Sequence, residues 1–237
     1  MDGTFRLIAP FRWHTVGFGF VVLFLSLLLA SPVMAGEEPE RIRLTNGQKA
    51  TIHAGDVHVE LQEGEINRGV VIGIVQAPMA DVIPLVANCW EYGDWREALI
   101  DTKLERRVSD DVVICSGTAV VPFPARNRSG NFRVHNRHQR VGGIDSYVSS
   151  FKYIEGSGNM EDMFGYWILT PYGPNGEHTI LKHVLNVDIG GFLPGALVRW
   201  ATRRTLPDTV IGIREVLTKR NSTGASGPNY WIDHSYE

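Results

Sequence analysis

Six strand-like segments in succession, separated only by short turns, constrain this chain more than any other feature. They fall at about 98–108, 111–121, 131–141, 144–155, 162–171 and 178–188. The breaks are Ser109-Asp110, Pro122 to Gly130, Gly142-Gly143, Gly156 to Gly158 and Pro171 to Gly176. Strands joined so closely pair with their neighbours, and the spacing predicts an antiparallel meander. Two earlier runs, Val57–Leu61 and Val70–Val75, also read as strands, with a short helix over 79–89 that carries Pro84. A long apolar-striped segment follows the last strand. In it Leu193, Leu197 and Trp200, then Leu206, Val210, Ile213 and Leu217, recur at helical spacing. Pro207 and the change of phase beside it predict a kink or break.

Alternation separates the strand faces. In 99–107, Asp101, Lys103, Glu105 and Arg107 share one face, and Ile100, Thr102 and Leu104 the other. In 131–140, Arg133, His135, Arg137 and Gln139 oppose Phe132, Val134, Asn136, His138 and Arg140. In 179–188, Lys182 and Asp188 oppose Leu181, His183, Leu185 and Val187. A sheet with one dry face must cover it, and the terminal helix is the element long enough to do so.

Residues 1–35 read as an export signal: Arg6 and Arg12 precede an apolar run from Val16 to Ala30. Val33 and Ala35 then occupy the small-residue positions of a cleavage site. Cleavage after Ala35 into the periplasm is the expectation, with an N-terminal membrane anchor as the alternative. Losing Arg6, Arg12 and Asp2 takes the net charge from −3 to −4, which offers no basic field for nucleic acid. Residues 36–49 read as a flexible lead-in, 50–220 as one domain and 221–237 as a disordered tail. Cys89 and Cys115 could pair in an oxidising compartment or remain buried thiols, and they lack zinc or redox spacing.

Four segments carry a family likeness. PFPARNRSGNF (122–132) resembles the Pro-x-Pro-x-x-x-Arg-Asp-Phe signature of START domains, the lipid-transfer modules related to steroidogenic acute regulatory protein. GYWILTP (165–171) resembles the strand before their last hairpin. The run from Thr179 to Pro194 resembles their ladder ending in Asp-Pro-Gly-Gly-x-x-Pro, and LPDTVIGIR (206–214) resembles their closing helix. The likeness spans 66–219. Its departures are Arg128-Ser129-Gly130-Asn131-Phe132 in place of Arg-Asp-Phe, and Ile189 after Asp188. The resemblance implies an α+β helix-grip fold, a curved antiparallel sheet wrapped around a long C-terminal helix with an internal hydrophobic cavity. It also implies one bound lipid or other hydrophobic small molecule, transient membrane contact and no cofactor, in a monomer. The family's inward arginine on the central strand has no clear counterpart, since Arg137 falls on the opposite face.

The candidate ligand contacts are Asn136, His138, His183 and Leu185 on the strands, and Leu197 and Trp200 on the helix. Each histidine reads either as a ligand contact or as a core residue bonded within the protein. No third ligand is spaced to join them around a metal. Trp95 reads as an anchor of the helix-to-strand junction. Arg126, Arg128, Arg133, Arg137 and Arg140 read as a solvated face or an acidic-headgroup surface, and Gly190-Gly191 as a backbone approach to a ligand. No nucleophile elbow, metalloprotease motif, phosphate loop or dinucleotide fingerprint is present. A non-catalytic lipid carrier is therefore the leading reading. Polyketide cyclases and aromatases share the scaffold, and in that alternative His138 and His183 would be the acid–base pair. A third reading is an interaction domain whose grip is filled by its own side chains.

Overall fold

The structure, a computed structural model, describes residues 39–62, 67–123, 125–188 and 195–223, with the side chains of 195–202 outside that description. Helix α1 (Asn46–His53) leads into β1 (His58–Gln62) and β2 (Asn67–Val75). Helix α2 (Met79–Ala87) and a 3₁₀ turn (Cys89–Asp94) follow. The meander is β3 (Leu99–Arg107), β4 (Val112–Ala119), β5 (Arg128–Val141), β6 (Ile144–Tyr153), β7 (Asp162–Tyr172) and β8 (His178–Asp188). Helix α3 (Gly195–Thr223) closes the chain. All eight strands form one antiparallel sheet in the order β1-β2-β8-β7-β6-β5-β4-β3. The six expected strands are the six of the meander, each within a few residues of its expected limits.

The inner face is packed by α2 and α3. Leu206, Val210, Ile213 and Leu217 of α3 share one core with Val82, Leu85 and Val86 of α2 and with Val71, Leu169 and Leu181 of the sheet. Close approach depends on Gly73, where a Cβ would sit 2.7 Å from Val210 Cγ1. Arg214 ties α3 to the edge of β2: its Nε and Nη2 donate to the Ile74 carbonyl at 2.9 and 2.6 Å, and Nη1 to Gly55 O at 2.7 Å. Helix α3 runs through Pro207 as one element, not two. The carbonyl that Pro207 leaves without a donor belongs to Arg203, on the exposed side where water can serve it.

Residues 46–49, the end of the lead-in, lie in α1, where Thr45 and Gln48 form a reciprocal capping box. Two expectations are corrected. The central strands bury both faces. On the outer side Ile72, Ile74, Val148, Tyr166, Ile168 and Val184 pack with Ile52 of α1, flanked by Ile42 and Leu44. The unbroken apolar runs at 70–75 and 165–170 carried this signal, because strands covered on both faces lose alternation. In β3 the ladder slips between Ile100 and Lys103, with Asp101 at φ 53°, so Ile100 is 41 % exposed and Leu99 turns inward instead.

Cys89 and Cys115 form a disulfide with their Cα atoms 6.2 Å apart, which pins the 3₁₀ turn to β4. The leader 1–35, Leu193, Gly190-Gly191 and residues 224–237 of the tail lie outside the described residues. No helix among the described residues is long and apolar enough to cross a membrane.

Candidate functional site

Antiparallel register sets residues of neighbouring strands side by side, so the inner face is built in rungs. One rung runs Val134, Phe151, Gly165, Leu185 across β5, β6, β7 and β8. The next runs Asn136, Ser149, Trp167, His183, and the third runs His138, Tyr147, Leu169, Leu181. Helix α2 fills the space over the third rung. It does not extend over the first, and a cavity of about 220 Å³ remains there.

Phe151, Leu185 and Val134 of the first rung line this cavity, as do Trp167, His183 and Ser149 of the second. Phe132, Leu99 and the Cys89–Cys115 bridge contribute from the β3–β5 side, with Met160 and Met163 from the loop and strand opposite. Tyr92, Arg96 and Thr205 approach from the covering segments. Apolar surface with a few convergent polar groups is the composition of a small-molecule site.

Of the six candidate contacts, His183 and Leu185 line the cavity. Asn136 and His138 do not, which corrects the reading from alternation. Asn136 shares a rung with His183, but it sits beneath the end of α2, where its Nδ2 donates to Ala87 O at 3.4 Å. His138 lies on the rung that α2 covers, at its exposed margin, with its ring edge-on to Tyr147 at 5.2 Å. Correct facing is thus not enough; position along the strand decides what covers a residue. Leu197 and Trp200 belong to α3, but their side chains lie outside the described residues. Arg137 stays on the outer face, with Nη1 3.0 Å from His135 Nδ1.

His183 is 2 % exposed and lies flat on Trp167, ring centroids 3.9 Å apart and planes within 2°. Its Nδ1 and the Ser149 Oγ are buried without a hydrogen-bond partner among the described residues. Burial holds the His183 imidazole well below its ordinary value of 6.5, and the Arg96 charge lowers it further. The ring is therefore neutral at pH 7 and able to donate or accept one hydrogen bond. Folding excludes a proton that the unfolded chain binds below pH 6.5. The contribution of His183 to stability is then full above that pH and is lost as pH falls toward the depressed folded value. A His183→Phe variant is expected to remove up to about 1.4 kcal/mol of stability change per pH unit below that point. Urea unfolding of both proteins between neutral and mildly acid pH measures it, and identical pH slopes would contradict the assignment.

Arg96 is the functional candidate that sequence reading missed. It follows the aromatic cluster CWEYGDW, and nothing local says where its side chain goes. Its guanidinium carbon lies 5.6 Å from the Tyr92 ring centroid and 5.9 Å from those of Trp95 and Trp167. Its Nη2 reaches Thr209 Oγ1 on α3 at 3.4 Å. Burial pulls the guanidinium below its ordinary value, with Tyr92 and Asp208 opposing the shift. Trp95 does anchor its junction: α3 passes so close that a Cβ on Gly212 would lie 2.9 Å from Trp95 O. Tyr92 donates from its hydroxyl to Val86 O at 2.6 Å, so its ring is fixed for Arg96 to pack against.

No family model and no curated protein sequence matches the chain. Solved structures do. Human StAR-related lipid transfer protein 5 superposes with a TM-score of 0.60 at 15 % identity, over 70 % of this chain and 83 % of that one. A fragment of a STAR-related lipid transfer protein from Xanthomonas axonopodis gives 0.53 at 17 % identity, over 68 % and 92 %. The Zhui aromatase/cyclase from Streptomyces sp. R1128 gives 0.53 at 13 % identity, over 68 % and 99 %. With the open eight-stranded antiparallel sheet and its closing C-terminal helix, these likenesses establish that the chain adopts the START, or helix-grip, fold.

Proposed function

We propose that this chain is an exported, non-catalytic carrier that holds a lipid or similar hydrophobic molecule in the cavity above the first rung. The observation that carries the reading is the cavity itself: an apolar chamber left where α2 ends, on a fold shared with lipid-transfer proteins. A domain whose grip is filled by its own side chains would have no such chamber. The cyclase alternative needs two ionisable groups facing one substrate, and its histidine pair is not assembled, since His138 lies outside the cavity. Export is supported by the leader pattern at 1–35 and by the disulfide, which persists in oxidising compartments.

Membrane contact is proposed through the β4–β5 loop. Phe123 there is 95 % exposed and Val120 is 44 % exposed, while neighbouring Val121 lines the cavity and Arg126 is exposed beside them. A large apolar side chain held in solvent at a cavity rim suits a bilayer surface. In the test, the full chain is expressed and the protein recovered from the periplasmic fraction, with Gly36 expected as its first residue. Organic extraction and mass spectrometry are expected to find a hydrophobic molecule at near one per protein. Phe123→Ser is expected to slow ligand exchange with vesicles severalfold while leaving the load unchanged. Protein that carries nothing and takes up no hydrophobic probe would overturn the reading.

A further inference from the structure

Arg96 gives the cavity a chemical preference that its apolar walls do not. Its guanidinium has five N–H donors in a planar fork. Among the described residues these find one long hydrogen bond, to Thr209, and no carboxylate within ion-pair distance. Asp208, the acid it feels electrostatically, is exposed. The aromatic rings of Tyr92, Trp95 and Trp167 supply cation–π attraction to the face of the group, and leave its in-plane donors without a protein partner beyond Thr209 among the described residues. Arg96 is half-buried, so water serves those donors when the chamber is empty, and an anion bound there would take the place of that water with a charge-assisted bond. His183, neutral and with Nδ1 unpartnered, and Ser149 Oγ line the chamber as further hydrogen-bonding groups.

Size narrows the ligand further. At about 220 Å³ the chamber is below the roughly 300–1,000 Å³ of sites that enclose drug-sized molecules. That suits one slender chain better than the paired chains of a membrane phospholipid.

We propose that the cavity selects a single-chain amphiphile with an anionic head, a carboxylate or a phosphate monoester, seated on Arg96 with its tail against Phe151 and Leu185. This rests on the ligand-binding reading above and specifies the class of molecule bound. The recognition is a charge-assisted hydrogen bond from the guanidinium, which is bidentate if the head is planar.

The test compares binding of dodecanoate, dodecyl phosphate and the uncharged methyl dodecanoate to the full mature protein, by displacement of the neutral dye Nile red. At least one of the two anions is expected to bind about 10- to 100-fold more tightly than the ester, the range of a hydrogen bond to a charged group. The tighter anion identifies the head. Arg96→Met is expected to abolish the preference with little change in ester affinity, and Arg96→Lys to retain part of it. Equal affinity of acid, phosphate and ester for the wild-type protein would overturn the anion proposal and leave the hydrophobic carrier standing. A preference that survives Arg96→Met would overturn it equally. Failure of all three to bind would remove both readings. The wild-type comparison decides the matter even if Arg96→Met does not fold.

Discussion

Replacing Trp167 by alanine is expected to lower stability by about 3–5 kcal/mol, the cost of emptying a buried aromatic site. Trp167 is 1 % exposed, on a strand with neighbours on both sides that hold β7 in place. The indole stacks on His183, its ring centroid is 6.2 Å from that of Tyr92, and Arg96 also packs against it. Its loss therefore removes packing from both the core under α2 and the cavity floor. For a domain of this size the midpoint of thermal unfolding should fall by about 6–20 °C. The same substitution merges the vacated volume with the chamber, so a bulkier hydrophobic probe should bind the variant better than the wild type at low temperature. A stability loss below about 1 kcal/mol would show that the ring does not pack as described.

Removing the Cys89–Cys115 bridge is the other large effect. The cross-link spans 26 residues of sequence, and the chain-entropy relation assigns such a loop about 3.5 kcal/mol. The double variant Cys89→Ala, Cys115→Ala should show a lower urea midpoint with a similar or larger slope, because its unfolded chain is freer. Dithiothreitol should move the wild type toward the variant and leave the variant unchanged. Since the bridge also walls the cavity, its loss should loosen the segment that carries Tyr92 and Arg96, and anion preference should weaken with it. Equal midpoints for variant and wild type would mean the bridge adds nothing to stability.

Much of the fold was readable because its determinants are local. Gly142-Gly143 and the turn residues at 171–176 mark hairpins whose strands pair in the expected order. Leu206, Val210, Ile213 and Leu217 bury the face that their spacing prescribed. The site was less readable, because it is made by contacts distant in sequence. Alternation reports the face of a strand, and it puts His183 and Leu185 on the inner face, where both line the cavity. Asn136 and His138 satisfied the same rule and yet fall beneath or beside α2, since alternation does not report how far along a strand the cover reaches. Arg96 gave no signal of its own: its surroundings come from Trp167 on β7 and Thr209 on α3, 71 and 113 positions away in the numbering. The Asp101 bulge hid the inward turn of Leu99 by reversing the phase of β3 midway.

That bulged strand has a second consequence. β3 is an outer margin of an unclosed sheet, and such a margin offers unpaired backbone groups to any other chain that can lie alongside. Here the row is interrupted twice, at Ile100/Lys103 and at Leu104/Arg106. It also carries Asp101, Lys103, Glu105, Arg106 and Arg107 as exposed charges. A neighbour approaching edge to edge would lose register at each interruption and would have to strip water from charges of both signs. The distortion that turns Leu99 into the cavity thus also works against edge-to-edge association of chains through β3.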